Sequence, residues 1–201
     1  MTDIRKFLPL ILLGVLLLLV FNMCGSYNTS LRKEEKVQES WAQVETQYQR
    51  RANLIPNLVN TVQGYADFEK QTLEAVVQAR ANATSMQLKV EDLTPENIQR
   101  FEQAQSALGG ALDRLLVTVE RYPDLKASAG FLDLQNQLEG SENRIAVEIR
   151  NFNQAVNDYN TYVRRFPTKL FAGMFGFSPK GYFSAAPGSE KAPEVRFPSA
   201  K

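Results

Sequence analysis

FLDLQNQLEGSENRIAVEIRNFNQAVNDYNTYVRRF, residues 131–166, is the stretch of sequence that decides the fold. Its large apolar side chains recur mostly every three or four residues, which is the spacing of one face of an α-helix. These side chains are Phe131, Leu134, Leu138, Ile145, Ile149, Phe152, Val156, Tyr159, Val163 and Phe166. The pattern predicts a single helix that begins near Asp124, ends before Pro167 and is roughly 60 Å long.

Three further amphipathic patterns precede this stretch, over residues 27–64, 67–88 and 94–122. In the third, the pair Gly109 and Gly110 would allow another helix to approach closely. Four apolar stripes joined by short connections bury their faces most simply against one another. No strand-like alternation competes with them. The sequence therefore predicts an all-α protein, an antiparallel four-helix bundle with long helices of coiled-coil-like spacing.

Pro56 interrupts the first of these patterns. A proline inside a helix has no N–H to donate, so the Ala52 carbonyl loses its usual partner, and the proline ring pushes against that carbonyl. We therefore expect a kink or a break of the first helix at Pro56, with Asn53 capping a second segment.

A charge-free apolar run, FLPLILLGVLLLLVFNM, occupies residues 7–23. As a helix it is roughly 25 Å long, near the lower limit for crossing a bilayer. The run predicts a single N-terminal transmembrane helix within residues 1–26. A cleaved secretory signal and lipoprotein processing at Cys24 are alternatives, but the residues that end the run are larger than either peptidase prefers.

The orientation of this anchor is predicted from the charges that flank it. Arg5 and Lys6 adjoin the apolar run directly, whereas Arg32, Lys33 and Lys36 begin several residues beyond its other end. Because positive residues near a span favour the cytoplasmic side, the charges favour an inside N-terminus and an extracytoplasmic bundle.

The residue inventory excludes most enzyme classes. The chain of 201 residues has no His and one Cys, which rules out a Ser-His-Asp triad, a Cys-His pair, His-ligated zinc and an internal disulfide. A net charge of +1 does not attract nucleic acid. We predict a non-enzyme without a metal, a cofactor or a small-molecule substrate. A hydrolase or transferase that uses two carboxylates in one pocket is the alternative.

Beyond Pro167 the sequence changes character. Residues 168–201 combine aromatic residues with Gly and Pro, and we expect a partly flexible segment there. The chain is thus divided into a membrane anchor (1–26), a helical bundle (27–167) and this C-terminal segment.

The first part of the C-terminal segment is a candidate membrane contact, because an up-and-down path of the helices returns it to the membrane end. Phe171, Phe175 and Phe177 would dip into the interface beside Lys169 and Lys180. The alternative is that these rings pack across the open end of the bundle.

A cluster of Arg and Asn residues around Pro56 is a candidate recognition site. A kink would splay these side chains toward a cleft that binds a partner carboxylate or an anionic head group, which suit guanidinium ligands. The candidate partner-binding residues are Arg50, Arg51, Asn53, Pro56, Asn57 and Asn60. The alternative is structural: Arg51 pairs with a Glu on a neighbouring helix, and the Asn side chains cap the broken turn.

The block SYNTSLRKEEKVQESWAQVETQYQRRANLIPNLVNTVQGYADFEKQTLEAVVQAR, residues 26–80, resembles the signature of the LemA family. The string VRRFPTKLFAGMFGF, residues 163–177, resembles the family's final helix and aromatic exit. Ala52 and Glu45 stand where the family often has Asp, which puts any carboxylate role at position 52 in doubt.

The resemblance implies an N-terminally anchored four-helix bundle in bacteria, without an agreed activity and with a topology that differs from the one the charges favour. Genes of such proteins often lie near those of membrane proteases or other membrane proteins. We therefore expect a single-pass protein of the bacterial inner membrane that acts as an interaction or scaffold protein. Its partner would be another protein or a second copy of itself, and a role as regulator of a membrane protease is a more specific version.

Overall fold

The structure, a computed structural model, describes residues 4–64 and 69–184, without the side chains of residues 4–9, 11, 15, 16 and 19. The predicted helix start at Asp67 and the tail from residue 185 onward lie outside the described residues.

Helices make up most of the described chain, and residues 4–64 and 69–184 contain no strand. The helices are α1 (Ile4–Gln63), α2 (Lys70–Ser85), α3 (Pro95–Val119), α4 (Pro123–Lys126), α5 (Ala129–Arg164) and α6 (Thr168–Ala172). Short 3₁₀ turns occur at Val90–Asp92 and Gly173–Phe175. The predicted all-α class is confirmed.

The last long helix begins later than the sequence pattern predicts. A one-turn helix, α4, comes first, and Ser128 then caps α5 by accepting a hydrogen bond from the Phe131 amide at 3.3 Å. A serine hydroxyl at this position satisfies an amide that has no partner within the helix. The apolar spacing continues across this boundary, which is why the periodicity alone did not reveal it.

The long helices lie in two antiparallel pairs. In the first pair, Trp41 of α1 contacts Phe152 of α5, with ring centroids 5.4 Å apart. In the second pair, Arg121, just beyond α3, forms an ion pair with Glu69, just before α2, at 2.8 Å. Two apolar clusters fill the space between the pairs, one of them centred on Ile55 and Leu115 and the other on Trp41.

Trp41 is the centre of an aromatic cluster that joins three helices and the C-terminal segment. Its ring centroid lies 5.2 Å from that of Phe101, 5.4 Å from that of Phe152 and 6.0 Å from that of Phe183. Its Nε1 donates to the Leu88 carbonyl at 3.0 Å, so the indole is buried with its polar atom satisfied.

Of the two outcomes expected at Pro56, the break is wrong and the kink stays a prediction. Helix α1 continues without interruption from Ile4 to Gln63, and Asn53 caps no second segment. The reason lies in α2: Nε of Arg80 donates to the Ala52 carbonyl at 2.8 Å and so replaces the amide that proline lacks.

No helix in the described part of the chain is both long and apolar enough to span a membrane. The anchor within residues 1–26 stays a prediction.

Two asparagine side chains of α5 hold the C-terminal segment against the helices. Asn160 donates to the Lys180 carbonyl at 2.9 Å and accepts from the Lys180 amide at 2.8 Å. Asn153 makes the same two bonds with Phe183, at 3.0 and 2.9 Å. Because the two asparagines are about two turns apart on one face of α5, they act as successive backbone-like partners for an extended segment.

Gly181 lies between these two contacts and has no room for a side chain. Its amide donates to the Leu93 carbonyl at 2.7 Å. A Cβ atom at this position would lie only 2.8 Å from the Cα and N atoms of Pro95. The close approach of the two backbones therefore requires glycine.

Candidate partner-binding groove

A groove of about 1290 Å³ runs between α3 and α5, which belong to different helix pairs. Buried Leu112 and Leu138 line its base. Tyr182, Phe183 and Ser184 line one end, where the Ser184 amide donates to Glu102 at 2.6 Å. The clamped C-terminal segment therefore helps to shape the groove.

Gly109 and Gly110 expose the backbone of α3 to the groove, because neither residue has a side chain. A Cβ atom built on either residue would meet no other atom within 4 Å. No helix among the described residues packs on this face, although the glycine pair would allow one to approach closely.

A polar network beneath the groove connects all four long helices. Arg51 of α1 is buried, and it pairs through Nη1 with Glu142 of α5. Its Nη2 donates to Gln105 of α3 at 2.7 Å, and Gln105 donates in turn to the Ala83 carbonyl of α2 at 3.2 Å. The guanidinium carbon also lies 5.1 Å from the ring centroid of Tyr48. A buried charge that loses its partner is costly, so this network favours the observed arrangement of the four helices.

Burial also raises the pKa of two groups that line the groove. The pKa of Tyr48 is raised to about 12 by burial, with Arg51 opposing the shift and the carboxylates of Glu142 and Glu102 adding to it. Burial likewise raises the pKa of Glu102, and the hydrogen bond from Ser184 opposes that shift.

Reactive chemistry is scarce in the part of the chain that the structure describes. It contains no group of three or more Cys, Asp or Glu residues that could hold a metal ion. Cys24 is exposed on α1, toward the amino-terminal end of that helix. The groove is lined by apolar side chains, carboxylates and side-chain amides.

Comparison with known proteins identifies the family. The family model described as LemA family matches residues 40–197, which is most of the chain. The chain belongs to the LemA family. It is 27% identical over 187 residues to Protein LemA of Metamycoplasma hominis, covering 92% of this chain and 81% of that protein.

Magnetosome proteins are also among the relatives of this LemA-family chain. Magnetosome protein MamQ of Magnetospirillum gryphiswaldense is 25% identical over 181 residues, covering 82% of this chain and 66% of that protein. The same values hold for Magnetosome protein MamQ 2 of Paramagnetospirillum magneticum. The match therefore spans about two thirds of the length of each MamQ protein.

The structure separates the candidate recognition residues of this LemA-family chain into two groups. Five of them are exposed on α1: Arg50, Asn53, Pro56, Asn57 and Asn60. Arg51 instead lies on the buried face, in a slot of the apolar stripe, and its partner is Glu142. This contact is the pairing of Arg51 with a glutamate on a neighbouring helix that the structural alternative described. The same alternative expected the Asn side chains to cap a broken turn, and that part is wrong because α1 is continuous.

The candidate membrane-contact residues are also separated. Lys169 is exposed, Phe171 is half-buried and Phe175 is only partly exposed, with its ring centroid 5.1 Å from that of Tyr27. Phe177 is buried beside the same tyrosine.

Lys180, which the sequence had placed beside these rings at the interface, is also buried, and it pairs with Glu34 at 2.8 Å. The clamp by Asn153 and Asn160 pulls this part of the segment inward. Three other residues are exposed instead: Phe166, Leu170 and Met174. Phe166 was predicted on the apolar face of the last helix, and that placement is wrong because α5 ends at Arg164. The regular four-residue spacing of these three residues was the available signal.

Proposed function

We propose that this chain is a membrane-anchored, non-catalytic interaction protein of the bacterial envelope, whose antiparallel four-helix bundle presents the α3–α5 groove to a protein partner. The observation that carries the proposal is that this groove is open over the bare backbone of Gly109 and Gly110. An apolar base beneath polar walls is the usual composition of a helix-binding groove.

The dimensions of the groove suit a helix. From Gln99 to Leu116, α3 lines it over roughly 26 Å, the length of about five helical turns. The two glycines allow a partner backbone to approach α3 more closely than any side chain would permit.

The charge of the groove indicates which helix it accepts. Four carboxylates line it: Glu102, Asp113, Glu139 and Glu142. The cation in the described lining, Arg51, is buried and already paired with Glu142. The partner is therefore a helix with an apolar stripe flanked by Lys or Arg, since opposite charges at the rim determine orientation and association rate.

The anchor is the second part of the proposal. The apolar run over residues 7–23 carries no charge and leads directly into the same helix, α1, that supports the groove. We place the protein in the inner membrane with its bundle outside, as the flanking charges favour. A role as regulator of a membrane protease is a more specific version of the same proposal, in which the protease is the partner. The exposed α1 residues around Pro56 stay a predicted second contact surface.

Site-specific photocrosslinking in native membranes tests the groove. A photoreactive amino acid replaces Ser106, which lines the groove, and in the matched control it replaces Val117, which is 70% exposed on α3 outside the groove. We expect a discrete protein adduct at position 106 that the charge reversal Glu139→Lys weakens at least tenfold, and no such adduct at position 117. Equal labelling at both positions, or an adduct insensitive to Glu139→Lys, would contradict the proposal.

A further inference from the structure

Three large apolar side chains project into solvent around α6. Phe166 is 81% exposed, Leu170 61% and Met174 78%. They recur every four residues, whereas Thr168 and Ala172 between them are buried against the bundle. The segment is therefore amphipathic with a short apolar face turned outward, and nothing in the described chain covers that face.

This face lies beside the point where α1 changes from a polar to an apolar surface. Phe175, just after α6, contacts Tyr27 of α1 with ring centroids 5.1 Å apart. Phe21, which is 79% exposed, lies roughly 9 Å further along α1 toward its start. Exposed Leu17 and Leu18 follow in the same direction. The apolar face of α6 and the apolar surface of α1 thus meet at one end of the molecule.

Cations surround this end. Arg164, Arg165 and Lys169 are exposed next to the apolar face. Arg165 and Lys33 both lie over the ring of Tyr162, 4.2 and 5.8 Å from its centroid. The nearby carboxylate of Glu34 is already paired with Lys180. Long basic side chains beside exposed apolar residues suit the phosphate level of a bilayer, where the stems lie in the apolar layer and the charges bind anionic head groups.

We propose that Phe166, Leu170 and Met174 insert into the interfacial layer of an anionic lipid bilayer, so that the bundle rests on the membrane through α6 as well as through its anchor. The lipid surface is the occupant that matches both observations, since an apolar face continuous with the apolar part of α1 and a surrounding group of cations occur together. The inference rests on the anchor of the proposed function, but the two can fail separately.

Depth-dependent fluorescence quenching in the full chain tests this contact. In a Cys24→Ser background, a polarity-sensitive dye is attached at Leu170→Cys or Met174→Cys, at Phe21→Cys to report the anchor, and at Val117→Cys as an exposed control. The protein is reconstituted in vesicles of phosphatidylcholine and phosphatidylglycerol at 3:1. We expect blue-shifted emission and at least twofold quenching by shallow spin-labelled lipids at positions 170 and 174, and neither effect at position 117.

The dye at position 21 distinguishes the two proposals. Quenching at 21 together with water-like emission at 170 and 174 overturns the α6 contact and leaves the anchor standing. Water-like emission at all three positions overturns both. A blue shift at 170 that lipid quenchers do not reduce, and that disappears when each nanodisc holds one copy, assigns the face to contact between copies and overturns the lipid contact.

Charge reversal provides an independent check. The triple variant Arg164→Glu, Arg165→Glu, Lys169→Glu should reduce the quenching at position 170 at least twofold and leave that at position 21 unchanged. The matched control reverses Arg100, Arg114 and Arg150, exposed cations of α3 and α5, and should change neither. If both triple variants act equally, the cations beside α6 have no specific role and the electrostatic part of the proposal is wrong.

Discussion

Arg80 donates a hydrogen bond from Nε to the carbonyl of Ala52, the acceptor that Pro56 leaves without its usual partner, at 2.8 Å. One side chain of α2 therefore makes good a defect in the backbone of α1 and joins the two helices in doing so. This relationship explains how a proline lies within a 60-residue helix without ending it.

The Arg80 contact predicts a coupling that a double-mutant cycle detects. Arg80→Ala should lower the free energy of unfolding by about 1.5–3 kcal/mol, the usual loss for a hydrogen bond from a charged donor. In a Pro56→Ala background the same change should have a smaller effect, because the new amide at position 56 reaches the Ala52 carbonyl itself. Denaturant unfolding of the four variants measures the coupling, and strictly additive losses would show that the two residues act separately.

The asparagine clamp predicts protection of particular backbone amides. Asn160→Ala removes both hydrogen bonds to Lys180 and should lower the free energy of unfolding by about 1–3 kcal/mol. The Lys180 amide should then exchange with solvent at least tenfold faster. Asn57→Ala, at an exposed position of α1, is the control and should change neither quantity. Unchanged exchange in Asn160→Ala would mean that the segment is held by other contacts.

Two glycine positions should respond to alanine in opposite ways. Gly181→Ala brings a Cβ atom against the Pro95 backbone, so the segment must move and Phe183 must withdraw from Trp41. The emission of Trp41, which is the single tryptophan, should shift to longer wavelength. Gly110→Ala meets open space in a helix and should stabilise the protein by about 0.5–1 kcal/mol. Gly181→Ala should lower the free energy of unfolding, whereas Gly110→Ala should raise it. A change of the same sign in both variants would contradict the close approach at Gly181.

The network beneath the groove predicts an asymmetry between its two charged partners. Glu142→Gln should lower the free energy of unfolding by about 3 kcal/mol, because the buried guanidinium of Arg51 keeps its charge and loses its counter-ion. Arg51→Ala should lower it less, by about 1–3 kcal/mol, because it removes the buried charge, leaves Gln105 without its donor and leaves a half-exposed carboxylate that water can solvate. Thermal unfolding compares the two, and equal losses would show that burial does not decide the energy of this pair.

The raised pKa of Tyr48 predicts a loss of stability in alkali. Its pKa is about 12 in the folded protein against an ordinary value of 10.0, so the folded state retains the phenolic proton longer than the unfolded state does. The associated stability is fully present below pH 10 and is lost as the pH rises from 10 to 12. The slope for one group is at most about 1.4 kcal/mol per pH unit. Tyr48→Phe should reduce this slope in urea unfolding between pH 9 and 11, and an unchanged slope would assign it to other tyrosines.

Some features of this protein were predictable from local patterns. The four long helices followed from apolar spacing, because burial of one face dominates helix stability whatever the neighbour is. The pairing of Arg51 with a glutamate was predictable as one of two alternatives, since a cation in an apolar stripe needs a partner. The identity of that glutamate was not, because Glu142 lies in a different helix.

The errors came from contacts between residues far apart in the chain. The expected break at Pro56 assumed that no donor would reach the Ala52 carbonyl, and the donor came from a different helix. The expected exposure of Phe177 and Lys180 assumed a free segment, whereas Asn153 and Asn160 draw it onto α5.

By itself, the sequence determined that the chain is helical and that it lacks the imidazole that most catalytic sites need. Apolar spacing specifies a helix locally, and a residue type that is missing excludes its chemistry however the chain folds. Only the tertiary structure decided which polar groups are satisfied, which rings are covered and where a groove stays open. Those outcomes depend on distances between helices, and such distances result from packing the whole chain at once.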